Sequence, residues 1–416
     1  CRAKQSRGGM DEFNPETARL GQWSGPRDLS QDFGMTDSSE DVMRVLAYAA
    51  KEGCQDVVFQ TGLPIMMNLR GSYRALTNWI YDNTDFIRAA KHISGGGGDI
   101  EIRLAGGRAF NRRIDIRDRS DRDEHGEPKV YRFRVNVSSC AYGTGQGGQM
   151  VCRYIPADPP TVADIQLEDE IIEESTPEMG AVILSGPTGS GKTTTFAALL
   201  RRVMEEDTPI EGNIVTLEQP IEFLFDSVPS HRCIIAQAEI PLHFESFEKG
   251  IEEAMRRVPR LIVIGEQRDY HTMSAAQEAA NTGHAVYTTV HSNTAALSIQ
   301  RIVGKFPREQ QSQAFEMAVA TTHMVVSQVL VPHRSGKSRI CMREWVILDD
   351  ERRQELLKVG FLGSSGYLAE LMQSRKGGKS MRDSVRERFK AGEIDEEVAK
   401  KVLHRYGVPA KDRVRA

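Results

Sequence analysis

The chain has 416 residues, enough for two or three domains that each bury a core. Its hydrophobic fraction of 39% and charged fraction of 27% are those of a folded, water-facing protein, and a formal net charge of -4 supplies no global basic field for nucleic acid. The six cysteines (Cys1, Cys54, Cys140, Cys152, Cys233 and Cys341) follow no paired spacing, which argues against zinc or a disulfide framework and for a reducing, cytosolic setting; no apolar run approaches the ~18 residues of a membrane span.

Residues 1–38 are polar and rich in Gly, Pro, Asp and Ser, so a disordered segment is expected there. In "SEDVMRVLAYAAKEG" Val42, Val45, Leu46 and Ala49 share one helical face, with Ser39 and Asp41 as a cap and Gly53 as a stop. "DVVFQ" and "PIMMNLRGSYRAL" read as strands, the second turning at Arg70-Gly71-Ser72, and "SGGGGD" reads as a flexible loop. "DIEIRLAG" and "KVYRFRVNVSSC" alternate in polarity like strands of a half-exposed antiparallel sheet, with "RDRSDRDEHGEPK" as a solvated loop between them. "GTGQGG" at 143–148 matches GxGxxG, but the next segment, "QMVCRYIP", is a strand; with no helix N-terminus to receive a pyrophosphate, it reads as a hairpin turn.

Residues 39–156 therefore read as an α+β domain, and proline-rich "PADPPTVAD" opens a linker over 157–176. After it "AVILSG", "GNIVTLE", "LIVIGE" and "HAVYTTV" alternate with helical segments over 177–350, which predicts βαβ units and a parallel sheet. Residues 351–416 read as helical; the basic run "RKGGKSMRDSVRERFK" is read as a solvated helix face.

"AVILSGPTGSGKTTT" carries Gly186, Pro187, Thr188, Gly189, Ser190, Gly191, Lys192 and Thr193 in the GxxxxGK[ST] pattern, between an apolar strand and an apolar-periodic helix. The glycines let backbone N–H groups turn toward phosphate oxygens, and the helix N-terminus adds positive charge. Lys192, expected to face solvent, is placed to reach the β- and γ-phosphates of ATP; Thr193, followed by Thr194, is placed to hold Mg²⁺. In a parallel sheet, ligands gather at the carboxyl ends of the strands. There "NIVTLEQPIEF" ends its strand at Glu218, "LIVIGE" at Glu266 and "HAVYTTVHS" at His291. A lone strand-end acid is commonly a solvated loop residue, but three such residues beside one phosphate loop point to a metal, a water and the γ-phosphate.

These motifs resemble the PilT/VirB11-type secretion and pilus-retraction ATPases over roughly residues 40–350. "GPTGSGKTTT" is similar to their Walker A, "TLEQPIEF" to their acidic box, "RRVPRLIVIGEQRD" to their Walker B, and "TGHAVYTTVHS", with His284 and His291, to their histidine box. "AQAEIPLH", "PRLIVIGEQRD" and "REWVILDDERR" resemble most the DotB/TraJ-type ATPases of type IVB secretion and IncI-type conjugation. The acidic box departs from the family's Glu-Asp-Pro, reading Glu218-Gln219-Pro220, so the aspartate's role is unfilled or moves to Glu222; Arg260 stands where an aspartate is common.

The resemblance implies a RecA-like P-loop core behind an N-terminal PAS-like domain. Glu218 and Glu266 would share the metal and water chemistry, their order left open, with Glu266 and Thr193 as metal ligands and His284 beside the nucleotide. It also implies a homo-hexamer holding ATP between the two domains, with arginines of the N-terminal domain meeting the phosphates; Arg132, Arg134 and Arg153 are the candidates. Such a ring would be cytoplasmic, recruited to an inner-membrane secretion or conjugation complex that includes a second ATPase, and would not bind nucleic acid directly. A nucleic-acid translocase of related core would want a basic stripe with interleaved aromatics, and a nucleotide-binding scaffold would not need Lys192, Thr193, Glu218 and Glu266 together.

Overall fold

Alternating strands build the amino-terminal half, and continuous apolar strands the rest. The computed structural model describes residues 23–31, 33–34, 38–69, 71–95, 100–122, 126–155, 158–336 and 338–407. The chain divides into two compact units, Cys1–Ala157 and Asp158–Ala416.

The first unit runs α1 (Ser39–Lys51), β1 (Asp56–Gln60), β2 (Met66–Leu69), β3 (Ser72–Ala75), α2 (Asn83–Ser94), α3 (Ile100–Ala105), β4 (Phe110–Arg122), β5 (Pro128–Tyr142) and β6 (Gly145–Ile155). Its strands form one antiparallel sheet in the order β3-β2-β1-β6-β5-β4. The three helices cover one face, where Leu46, Phe86 and Ile100 pack with Phe59, Phe133 and Val135. The cap of α1 is Ser38, not Ser39, in a box with Asp41.

Sequence expectation fails at three places in this unit. Residues 100–105 are a helix: Ile100 and Leu104 are buried, whereas Ile102 is 73% exposed, so the period is four rather than two. The charged stretch after Ile116 continues as strand through Arg122, its charges in ion pairs such as Lys51–Asp118 at 2.6 Å. And residues 23–34 are not all unstructured: Arg27 bridges to Ala75, and Trp79 donates to the Phe33 carbonyl. Residues 1–22, Arg70 and residues 96–99 lie outside the described residues. In the hairpin at 143–148, Gly147 and Gly148 serve packing: a Cβ on Gly148 would lie 1.9 Å from the Phe86 ring.

The second unit runs α4 (Asp169–Glu174), β7 (Gly180–Ser185), α5 (Lys192–Glu205), β8 (Gly212–Glu218), β9 (Cys233–Glu239), α6 (Phe247–Met255), β10 (Pro259–Ile264), α7 (Tyr270–Asn281), β11 (Ala285–Val290), α8 (Ser298–Val303), α9 (Gln311–Thr321), β12 (Thr322–Pro332), β13 (Arg339–Ile347), α10 (Asp350–Gln373), β14 (Gly378–Lys379), α11 (Met381–Lys390) and α12 (Glu396–Arg405). The sheet order is β14-β13-β12-β7-β11-β10-β8-β9, with β12 through β9 parallel and β13 and β14 antiparallel. Helices cover both faces, one core gathering Ile264, Met273 and Ile299, the other Leu184, Phe196 and Val263. This is the expected α/β, RecA-like core.

The stretch expected as a linker is partly built into that core, since Leu167 and Ile171 are buried in it. The carboxyl-terminal helices are also integral: Met381, Val385, Val402 and Leu403 pack on Val329 and Met342. The basic run is neutralised rather than free, with Arg375 against Asp383 at 3.4 Å and Arg388 against Glu393 at 3.1 Å. Among the described residues no helix is long and apolar enough to cross a membrane.

Candidate active site

All of β7 is buried, and its carboxyl end delivers the chain into the turn 186–191 ahead of α5. Gly186 has φ +139, and a Cβ there would lie 2.4 Å from the Gln328 carbonyl oxygen, so no other residue fits. Gly191, φ +87, then caps α5. Gln328, fully buried on β12, fixes the turn: its Nε2 donates to the Ser190 carbonyl at 2.7 Å, and its Oε1 accepts from Thr195 Oγ1 at 3.0 Å.

Register carries the other groups to the same edge. Ser185 pairs with Val290, and Ile264 pairs with both Thr288 and Leu217, so the ends of β7, β11, β10 and β8 lie in a row. His291, Glu266 and Glu218 follow or close these strands. The turn carrying Glu266 is pinned on both sides: Gly265 N–H donates to the Leu217 carbonyl at 2.8 Å, and Thr289 Oγ1 donates to the Gly265 carbonyl at 2.6 Å.

Glu266 is mostly buried, with His291 Nε2 at 2.7 Å from Oε1 and Arg268 Nη2 at 2.5 Å from Oε2. Burial alone would raise its carboxyl, but Arg268, then His291 and Lys192, hold it below the ordinary range. Glu218 is the reverse. Burial raises it to about 7, against the bonds it accepts from Thr216 Oγ1 at 2.7 Å and Gln237 Nε2 at 3.2 Å. Two carboxylates on neighbouring strand ends are thus held apart in protonation.

Lys192 does not face solvent as expected. It is partly buried, donating to the carbonyls of Gly186 at 2.9 Å and Pro187 at 3.1 Å, because a long cation behind this turn finds its nearest acceptors in the loop itself. Burial lowers its ammonium, against the attraction of Glu266 and Glu222. Glu222 also acts on Glu218, so it is electrostatically part of the site.

His284 is not at this edge. It precedes β11, where its carbonyl accepts from Gly180 N–H at the start of β7 and its Nδ1 lies 3.0 Å from the Ala279 carbonyl. The six residues of β11 separate it from His291, roughly 20 Å at about 3.3 Å per residue.

In the amino-terminal unit, Arg132 and Arg134 share the face of β5 opposite buried Phe133 and Val135. Arg134 pairs directly with Arg153 on β6 and with Arg113 on β4, making a row of arginines that the sequence reading left incomplete. Asp56 tempers it, 2.8 Å from Arg153 Nε.

The site fits a nucleotide phosphate. The turn needs Gly186 for its close backbone approach, Ser190 Oγ is buried with no hydrogen-bond partner among the described residues, and α5 begins directly behind. Thr193 and the ionised Glu266 suit Mg²⁺, which takes most of its ligands from phosphate and water.

A family model for type II/IV secretion system proteins matches residues 130–389. The chain belongs to this family of secretion and pilus ATPases. The type IV pilus retractation ATPase PilT of Pseudomonas aeruginosa is 30% identical over 308 residues, 74% of this chain and 82% of that protein. The ATPase DotB of Legionella pneumophila superposes with a TM-score of 0.79 at 31% identity, covering 92% of this chain and 100% of that one. The pilus retraction motor PilT solved with bound ADP superposes with a TM-score of 0.72 at 26% identity, covering 90% of this chain and 99% of that one. Membership in the family bears out the PilT-type resemblance and the fold drawn from the motifs.

The sequence reading missed Gln328, Thr216, Gln237 and Arg268. Gln328 had a signal, as a polar residue inside the apolar run "VVSQVLV".

Proposed function

We propose that this chain is an ATP-hydrolysing motor, acting as a homo-hexamer on a type IVB secretion or conjugative apparatus. The observation that carries the reading is the convergence of Lys192, Glu218, Glu266 and His291 at one sheet edge, with the two carboxylates held at different protonation. The likeness to DotB over 92% of this chain supports the type IVB assignment.

In this reading the turn 186–191 cradles the phosphates of ATP, and Lys192 leaves its two loop carbonyls for the β- and γ-phosphate oxygens. Thr193 and Glu266 would hold Mg²⁺, which would supply charge neutralisation at the transferring phosphoryl group. His291 and Arg268 keep the Glu266 carboxylate ionised and oriented. Glu218, with its pKa raised to about 7, takes a proton from the attacking water, an acid strength matched to a base working near neutrality. Arg132, Arg134 and Arg153 of a neighbouring subunit meet the phosphate charge. The ring is cytoplasmic and reaches the inner membrane through protein partners, a second ATPase among them, without binding nucleic acid itself.

Pilus retraction is the second reading, favoured by the identity to PilT over three quarters of the chain. Genetic complementation separates the two, restoring secretion or conjugation in one case and twitching in the other. DNA-stimulated turnover would point instead to a nucleic-acid translocase.

The test of the enzymatic reading is steady-state ATP turnover of the wild type beside Lys192→Ala. The variant should lose turnover while its circular dichroism and melting stay native. Wild-type turnover in Lys192→Ala would remove the assignment.

A further inference from the structure

Beside Glu266 lies a cavity of about 270 Å³, lined by Glu266, Gln267, Arg268, His291, Arg301 and Lys305. Three permanent cations face one carboxylate there, so the lining is net positive by two before His291 is counted. Arg268 is engaged with Glu266, but Arg301 and Lys305 have no ion-pair partner among the described residues. They stand four residues apart in chain, at one end of α8 and just beyond it, and both line the cavity. Such unneutralised cations on a concave wall make a binding field for an anion.

A second observation narrows the anion. Gln267 is 6% exposed, and its Oε1 is buried with no hydrogen-bond partner among the described residues. A buried acceptor of this kind costs about 1–3 kcal/mol unless something donates to it. A dianion that also carries an O–H answers both features once the Gln267 amide turns toward the cavity that it lines. Hydrogenphosphate has that charge and that proton, and the cavity has room for it with several waters of about 30 Å³ each.

We infer that this cavity receives the hydrogenphosphate produced by hydrolysis, held by Arg301 and Lys305 with Gln267 Oε1 accepting its proton. The inference rests on the reading of the site as an ATP hydrolase, which yields ADP, hydrogenphosphate and a proton from ATP and water. Glu266 forms one wall of the cavity and also faces Lys192 electrostatically, so phosphate would pass directly from the reacting edge into the cavity.

The experiment is equilibrium dialysis of radiolabelled inorganic phosphate against the full chain saturated with ADP. The wild type should bind phosphate, and the Arg301→Gln/Lys305→Gln double variant should bind it at least tenfold more weakly with ADP affinity unchanged. Sulfate, which has no proton to donate at pH 7, should compete at least tenfold less well than unlabelled phosphate. A wild type that hydrolyses ATP yet binds no phosphate overturns the inference and leaves the ATPase reading standing. Undiminished binding in the double variant would place the phosphate in the P-loop turn, and equal competition by sulfate would remove Gln267; either also overturns it. Loss of phosphate only together with loss of the oligomer would assign the two cations to contact with a second copy instead. A wild type with neither ADP binding nor turnover would instead sink the ATPase reading itself.

Discussion

His291 Nε2 lies 2.7 Å from Glu266 Oε1, so the end of one strand touches the acid at the mouth of the next. With Arg268 on the other oxygen, each carboxylate oxygen has one partner and the side chain is held in place. A His291→Phe variant should keep nucleotide affinity within a few-fold and lose about ten- to a hundredfold in kcat, the loss expected when a positioning partner of the reacting group is removed. Fluorescent-nucleotide titration beside turnover reads both quantities. Equal losses in affinity and kcat would mean that His291 holds the nucleotide rather than the acid.

Gly186→Ala should be inactive for a different reason. Its Cβ would meet the Gln328 carbonyl oxygen at 2.4 Å and Ser190 Oγ at 2.8 Å, at a φ that alanine resists. The turn must shift, at a cost of about 1–3 kcal/mol. Nucleotide affinity should fall more than tenfold and the melting temperature should drop, as calorimetry would show. A variant with native affinity would mean that the turn tolerates opening.

Glu344 makes a prediction about stability. It is buried on β13, accepting from Ala295 N–H at 2.8 Å, just after His291, and from Met381 N–H at 3.2 Å at the start of α11. Burial raises its carboxyl to about 7, against those two bonds, and Glu218 is raised as far. A folded-state pKa raised from 4.5 stabilises the fold below about pH 4.5, and that contribution is lost as pH rises through about 7. Stability measured by urea unfolding should therefore decline between about pH 5 and 7. Glu344→Gln should flatten that slope and cost about 1–3 kcal/mol at pH 7, because one backbone N–H loses its acceptor. An unchanged slope would show that other groups set it.

Much of this site was legible in the chain because its parts obey short rules. The phosphate turn has a fixed spacing, and parallel strands put their ends on one edge, so Glu218, Glu266 and His291 could be joined before any coordinates. His284 misled because the histidine box spans a whole strand and leaves its two histidines at opposite ends of the sheet. Gln328 escaped because its role depends on β12 lying beside β7, a long-range pairing that no local pattern announces. Residues 100–105 escaped because Ile100, Ile102 and Leu104 fit both a strand and a helix, and only the packing of α2 against α3 decides. Arg113 was missed beside Arg134 because cross-strand register is not written in either strand alone.

The arginine row should act across a subunit boundary. Arg113, Arg134 and Arg153 stand side by side on adjacent strands; Asp115 lies 3.5 Å from Arg113 and Asp56 2.8 Å from Arg153, which leaves Arg134 between them with no ion-pair partner among the described residues. Specific activity should rise with protein concentration through the range where hexamers form. Mixing Arg134→Ala with Lys192→Ala subunits should recover part of the turnover, since an intact arginine then meets an intact phosphate turn at some interfaces. Light scattering beside the turnover assay checks assembly. Full activity from a monomer would end the ring argument.

Glu266 and Glu218 should divide the labour of hydrolysis, the first ionised for the metal and the second poised near neutrality for the water. The most direct measurement is kcat against pH, with nucleotide affinity, for the wild type, Glu218→Gln and Glu266→Gln. The wild type should show a rising limb with an apparent pKa near the value of about 7 that burial gives Glu218. Both variants should still bind ATP and lose about a hundredfold or more in kcat, and Glu218→Gln should lose the rising limb while Glu266→Gln keeps it. Wild-type turnover in either variant, or a limb near 7 that survives in Glu218→Gln, would contradict the account.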